Sequence, residues 1–329
     1  MGAERSFIYA KACGIIARSF VETRLSRLSA IQSLDEFNAL VFHNDVDLKN
    51  AKVADIEQKV TSQTLKTLLS IINSFPKPPE FIIRLIKNYE YADLKSALAA
   101  IRRGDEKMPA HNSLGRFGSV RFSAYPNLNL MVKGTEYVFL LKTNIDAAED
   151  VHAALDKHYY VLLLSALKQL PKKSVPVFRF ILGEEIALMN SSWALRLRAY
   201  YNLSAEAVSE RLIDEELDGK SLARDARACL SFALNHRPEW VSWRRARFLN
   251  PEMPKVYWKC DPVYFQNAAA VYLYQLARKN FRRHPFSLDT AACFVRLKQF
   301  EEQALNSVAE GISLGVPAAE ALKIAGGAL

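Results

Sequence analysis

Between Arg237 and Arg283 the sequence sets ten lysines and arginines against three acids. This stretch of 47 residues carries +7 of the formal +9 of the chain, so the remaining 282 residues are nearly neutral. Aromatic residues interleave with the cations. Trp240 and Trp243 stand at i, i+3 spacing ahead of Arg244, Arg245, Arg247 and Phe248, and Arg278-Lys279-Asn280-Phe281-Arg282-Arg283 forms a second cluster. Guanidinium and ammonium groups beside rings do one kind of chemistry, the non-covalent recognition of anions. Arg244, Arg245, Arg247, Lys279, Arg282 and Arg283 are therefore the candidate partner-binding residues. The competing reading is a solvated basic face over core tryptophans.

Covalent and metal chemistry have no comparable pattern. Cys13, Cys229, Cys260 and Cys293 are scattered without a CxxC pair, which points to neither a metal framework nor a disulfide framework. Such usage suits a reduced, cytoplasmic compartment. The six histidines form no HExxH, and no GxxxxGK[ST], GxGxxG or GxSxG occurs. No catalytic centre, cofactor or metal site is expected. No apolar run approaches the ~20 residues that span a bilayer, and no leader pattern opens the chain. Three short matches carry little weight: the acylation-like Met1-Gly2…Ser6, the sequons at Asn190 and Asn202, and Phe117–Phe122, which partly resembles the aromatic strand of an RNA-recognition domain.

The elements that must position these residues are helices. The 329 residues allow two or three domain-sized units, and half of them are hydrophobic, enough for sizeable cores. Only 12 glycines and 13 prolines occur, which favours long helices over tight turns. Ile8, Ala12, Ile15, Ile16 and Phe20 form one amphipathic stripe. Helical spacing recurs at 64–75, ending at Pro76-Lys-Pro78-Pro79, and at 81–103, ending at Gly104. It resumes at 146–170, 177–201, 204–217, 221–235, 266–281, 287–311 and 317–324, with 251–262 irregular. Ser204 and Ser287 read as helix N-caps. Residues 105–143 break the pattern and read as a linker with local structure, Tyr137–Lys142 as a brief strand.

Internal echoes add to this. Leu40…His43…Leu48 and Leu155…His158…Leu163 both read L-x2-H-x4-L, 115 residues apart. Asp93-Leu-Lys-Ser-Ala-Leu98 aligns with Asn190-Ser-Ser-Trp-Ala-Leu195, 97 residues apart. A third, fainter copy runs from about Asp225 to Ala325, its late helix opened by Lys298-Gln-Phe-Glu301-Glu302. The echoes divide the chain into helical units at 1–110, 111–220 (opening with the linker) and 221–329. Glu90 and Asp93 lie on a stripe with Ile86, Ala97 and Ile101, and Asn190 on one with Ile186, Met189, Trp193 and Leu197. Each polar side chain beside an apolar face makes either a structural hydrogen bond or a contact with a ligand or partner. Arg196 and Arg198 leave the same helix as Asn190, and Asp93, Asn190 and Arg196 are taken as the structural polar positions.

Taken together, the opening Tyr9-Ala-Lys-Ala-Cys-Gly-Ile-Ile-Ala-Arg18, the helices after acidic turns, the Asp93-Leu94 and Ala187-Leu-Met-Asn190 segments and Lys298-Gln-Phe-Glu301-Glu302…Gly311 resemble the C-type stalk subunits of V-type (A-type) ATPases, which correspond to the d-type stalk subunits of eukaryotes. The resemblance spans nearly the whole chain. Ala187 stands where that family usually has Asp, which weakens transfer at single residues more than transfer of the fold. It implies an all-α protein of three related helical bundles in a pseudo-threefold funnel. It further implies a non-catalytic component of the central stalk, one copy per complex, at the cytoplasmic face of the membrane. Its partners would be the central-shaft subunits and the membrane rotor ring, with lipid contact indirect or through headgroups, and no nucleic acid. The rival classes are a basic helical nucleic-acid-binding protein, because Arg-aromatic clusters also grip phosphates and bases, and a general helical scaffold.

Overall fold

The computed structural model of the chain describes residues 2–48 and 51–324. Met1 of the acylation-like pattern and Ala325 of the third echo lie outside the described residues. Thirteen α-helices follow in order among those described: α1 Gly2–Ile16, α2 Leu34–Phe42, α3 Val53–Ile72, α4 Glu80–Arg103, α5 Leu128–Val132, α6 Ala148–Lys168, α7 Phe178–Tyr201, α8 Ala205–Arg211, α9 Arg224–Ala228, α10 Arg237–Trp240, α11 Pro262–Phe281, α12 Leu288–Ser313 and α13 Ala318–Ile324. Between α8 and α9, β1 Glu216–Leu217 and β2 Lys220–Ser221 form a two-stranded antiparallel hairpin. The protein is all-α.

The helix ends follow from local chemistry. Ser33 accepts the Glu36 N–H, and Glu36 in turn accepts that of Gln32, which starts α2. Pro79 precedes α4, and Gly104 closes it at φ 75°, a conformation in which a side chain is strained. Asp261 caps α11 with Pro262 in its first turn, and Ser204 and Ser287 cap α8 and α12 as expected.

Two segments depart from the sequence reading. Tyr137–Lys142 is not a strand but part of a 3-10 helix, Glu136–Lys142, started by the Thr135 hydroxyl. Tyr137 and Leu140 are buried while Val138 and Leu141 are exposed, the period of three that such a helix imposes. The helices expected at 204–217 and 221–235 are cut short. Asp218 and Gly219 both take positive φ (52° and 75°) and close the β1–β2 hairpin, so α8 ends at Arg211 and α9 spans five residues.

The chain gathers into two compact units, residues 1–60 with 170–329, and residues 61–169. In the first, α7 and α12 both pack on α11, and α12 also packs on α13 and α1. Its core includes Leu188, Leu195, Leu212, Trp240, Trp243, Phe248, Trp258 and Phe265. Removing each such large apolar side chain from water stabilises the unit by roughly 1.5–3 kcal/mol. In the second, α4 packs along α6, and Tyr91 meets Tyr137 and Tyr159 edge to face.

Candidate functional site

Two kinds of polar arrangement stand out, one buried and one at the surface. The buried kind repeats on the three longest helices. Near the midpoint of α4, Asp93 accepts the Asn112 backbone N–H at 2.7 Å and its side-chain amide at 3.1 Å. Near the midpoint of α7, Asn190 is fully buried. Its Oδ1 accepts the Ile213 N–H at 2.9 Å, and its Nδ2 donates to the carbonyls of Ile213 and Leu222 at 3.1 and 3.0 Å. At the centre of α12, Glu301 accepts the Phe20 N–H at 2.6 Å and pairs with Lys298, which also reaches the Ser19 hydroxyl. In all three cases a buried side chain fastens a non-helical segment by its backbone amide. A buried amide must be paired, and a mid-helix acceptor supplies the partner where no strand or helix can.

Burial, opposed by the two Asn112 bonds, pushes the Asp93 carboxyl up to about 6. Glu90, one turn earlier, is 2% exposed and carries four bonds. It accepts the backbone N–H groups of Ser119 and Val120, the Lys87 ammonium and the Tyr137 hydroxyl. The polar stripes read from the sequence are thus sets of internal fasteners. Arg196 is not one of them: its side chain lies exposed. The fastening arginine on α7 is Arg198, which donates to the Cys229 and Phe232 carbonyls at 2.7 and 2.6 Å. Helical phase alone places two residues two positions apart on different faces, but only the position of residues 229–232 shows which face is covered.

The basic stretch divides in the same way. Arg245, expected at a docking surface, is 3% exposed. Its guanidinium meets Glu184 at 2.6 and 3.1 Å and Asp225 at 2.7 Å. Burial opposes its charge, but the two carboxylates outweigh burial and hold its pKa above the ordinary value. Trp240 and Trp243 are core residues, their indole N–H groups donating to the Ala233 and Asp225 carbonyls. Nothing in the spacing of Arg244, Arg245 and Arg247 distinguishes the inner arginine, because its partners come from α7 and α9.

The other cations remain outside. Arg244 has 53% of its side chain exposed, with Glu184 and Asp225 each 3.9 Å away. The Arg247 guanidinium stands 4.5 Å from the Tyr272 ring and 4.7 Å from the Phe248 ring, at the edge of a groove of about 600 Å³ also lined by Tyr264 and Lys323. Lys279 lies in the last turn of α11 and Arg282 and Arg283 just past its end, all three exposed. Exposed cations of this kind can pair with anions. Burial pushes the Cys229 and Cys260 thiols up to about 12, so both stay protonated and unreactive. Among the described residues, no group of three or more His, Cys, Asp or Glu is placed to hold a metal ion.

The comparisons with known proteins bear on the same residues. The family described as ATP synthase (C/AC39) subunit matches residues 10–323. The chain belongs to that family. As a C/AC39 protein it belongs with the V/A-type ATPases, and its all-α fold agrees with that family. The match takes in Asp93, Asn190 and Glu301 together with the whole basic stretch. The C/AC39 chain is also 27% identical over 318 residues to an uncharacterized protein of Treponema pallidum (strain Nichols), covering 94% of this chain and 92% of that one. Among the described residues of this C/AC39 protein, no helix is long and apolar enough to cross a membrane.

Proposed function

We propose that this C/AC39 protein is a non-catalytic central-stalk component of a V/A-type ATPase. It couples the soluble shaft to the membrane rotor ring, one copy per complex, at the cytoplasmic face. The single observation that carries the reading is the family match over residues 10–323. In this reading the units 1–110, 111–220 and 221–329 are three related bundles about a pseudo-threefold axis. A coupler transmits torque only if its elements do not open locally, and the buried fasteners at Asp93, Asn190 and Glu301 suit that demand. Its outer cations, Arg244, Arg247, Lys279, Arg282 and Arg283, serve a polar contact that forms and separates without a large apolar interface.

The test is affinity purification of the tagged chain from membranes. Rotor-ring and shaft proteins are expected to accompany it in fixed proportion. Their absence, with the chain recovered folded, overturns the reading.

A further inference from the structure

Within the unit formed by residues 1–60 and 170–329, the start of α7 and the end of α11 border a groove of about 360 Å³. Val177, Phe180 and Leu276 form its apolar wall, and Lys279 and Arg283 line it with charge. Phe180 is 52% exposed although it sits in the first turn of a long helix. Asn280 also lines the groove and is only 4% exposed. Its Nδ2 donates to the Leu276 carbonyl at 2.8 Å, one turn back, while its Oδ1 has no hydrogen-bond partner. That oxygen is closed off from the surface, so the groove offers an occupant its apolar wall and its two cations.

The electrostatics have one sign. Arg278, Lys279, Arg282 and Arg283 fall within six residues at the end of α11. Among the described residues, neither Lys279 nor Arg283 has a carboxylate partner. Asp289, the carboxylate that holds the start of α7, is fully buried and committed to the Val177 and Phe178 amides at 3.4 and 2.9 Å.

An occupant must therefore supply negative charge for Lys279 and Arg283 and an apolar group for Phe180 and Leu276. A polypeptide carrying Asp or Glu beside a Leu-like side chain meets both needs at once. We propose that this groove binds an acidic segment of a partner protein, its apolar side chain against Phe180 and Leu276 and its carboxylates on Lys279 and Arg283. The inference rests on the coupling role for the source of the segment, not for its chemistry.

The test uses the purified full chain and a fluorescein-labelled synthetic peptide of glutamates with leucines at i, i+3 and i+4, read by anisotropy. Salt-sensitive binding is expected. Lys279→Glu/Arg283→Glu weakens it about tenfold or more, and Lys133→Glu, at an exposed lysine of the other unit, leaves it unchanged. Phe180→Ala, at a half-exposed side chain, weakens it severalfold while retaining the thermal midpoint. The milder Lys279→Gln/Arg283→Gln pair serves if charge reversal impairs folding. Equal binding by the double variant overturns the proposal. So does equal binding of a peptide with serine in place of leucine, which would show a general attraction to polyanions. Displacement of the peptide by phosphatidylserine vesicles at lower concentration than by unlabelled peptide would assign the groove to lipid instead. Peptide binding without co-purified motor components would sink the coupling role alone, and the reverse result would sink the groove alone.

Discussion

Arg245 and Glu184 are 61 positions apart in the chain, yet their side chains meet twice, at 2.6 and 3.1 Å, in the core of one unit. Asp225 closes the other side of the guanidinium at 2.7 Å. The pair ties α7 to the segment that follows α10. A cation in such a place is retained for what it holds together, since its desolvation offsets much of the attraction.

Arg245→Ala leaves Glu184 and Asp225 buried without their main counter-charge. It is expected to cost about 3–5 kcal/mol, whereas Arg244→Ala, at an exposed side chain, stays within about 0.5 kcal/mol. Urea denaturation of both variants checks this. Equal midpoints would refute the internal role.

Asp93 makes stability depend on pH. Its folded value of about 6 lies above the ordinary 3.8 because of burial, so the folded state holds this proton longer than the unfolded chain does. The contribution is therefore full below the ordinary carboxylate range and is lost as pH rises through about 6. At neutral pH the cost of the ionised group is on the order of 3 kcal/mol. Asp93→Asn, which imitates Asn190, is expected to flatten the change in melting temperature between pH 4 and 7 (roughly the span of the two values). An unchanged pH profile would count against the assignment.

Glu301→Ala removes the acceptor of the Phe20 amide and the partner of Lys298 together. A loss of about 1–3 kcal/mol is expected, with hydrogen exchange accelerating at Phe20 beyond the loss of global stability. Uniform acceleration across the unit would show that Glu301 supports the core in general and does not fasten this segment.

Gly311 sits where α12 meets α13. A Cβ added there would lie 2.7 Å from the Cβ of Ala321, closer than two carbons tolerate. Gly311→Ala is expected to cost about 1–3 kcal/mol through overpacking, and Ala321→Gly should restore part of it. Differential scanning calorimetry of the two single variants and the double variant would expose the coupling. Additive effects would place the strain elsewhere.

The helices and their ends were legible in the sequence because their causes are local. Serine caps, the Pro76–Pro79 run, Gly104 and the apolar stripe of α4 each act within a turn or two of the chain. The hairpin at Asp218-Gly219 was missed: apolar spacing on both sides of its turn residues reads as helix. The echo of His43 and His158 did not survive folding: His43 ends α2 in the left-handed region, while His158 lies within α6 with its Nδ1 2.7 Å from the Tyr91 hydroxyl. The echo of Asp93 and Asn190 did survive, because both lie mid-helix and do the same work.

By itself, then, the sequence determined that this chain is a helical C/AC39 protein with one strongly basic region. Composition, periodicity and capping need no distant partner. Only the tertiary structure decided which cations of that region face outward. Arg244, Arg245 and Arg247 are equivalent in type and nearly in position. What separates them is that Glu184 and Asp225, from distant parts of the chain, converge closely on one guanidinium alone. Burial is a property of what surrounds a residue, and neighbours brought from 20 and 61 positions away leave no mark on the local pattern.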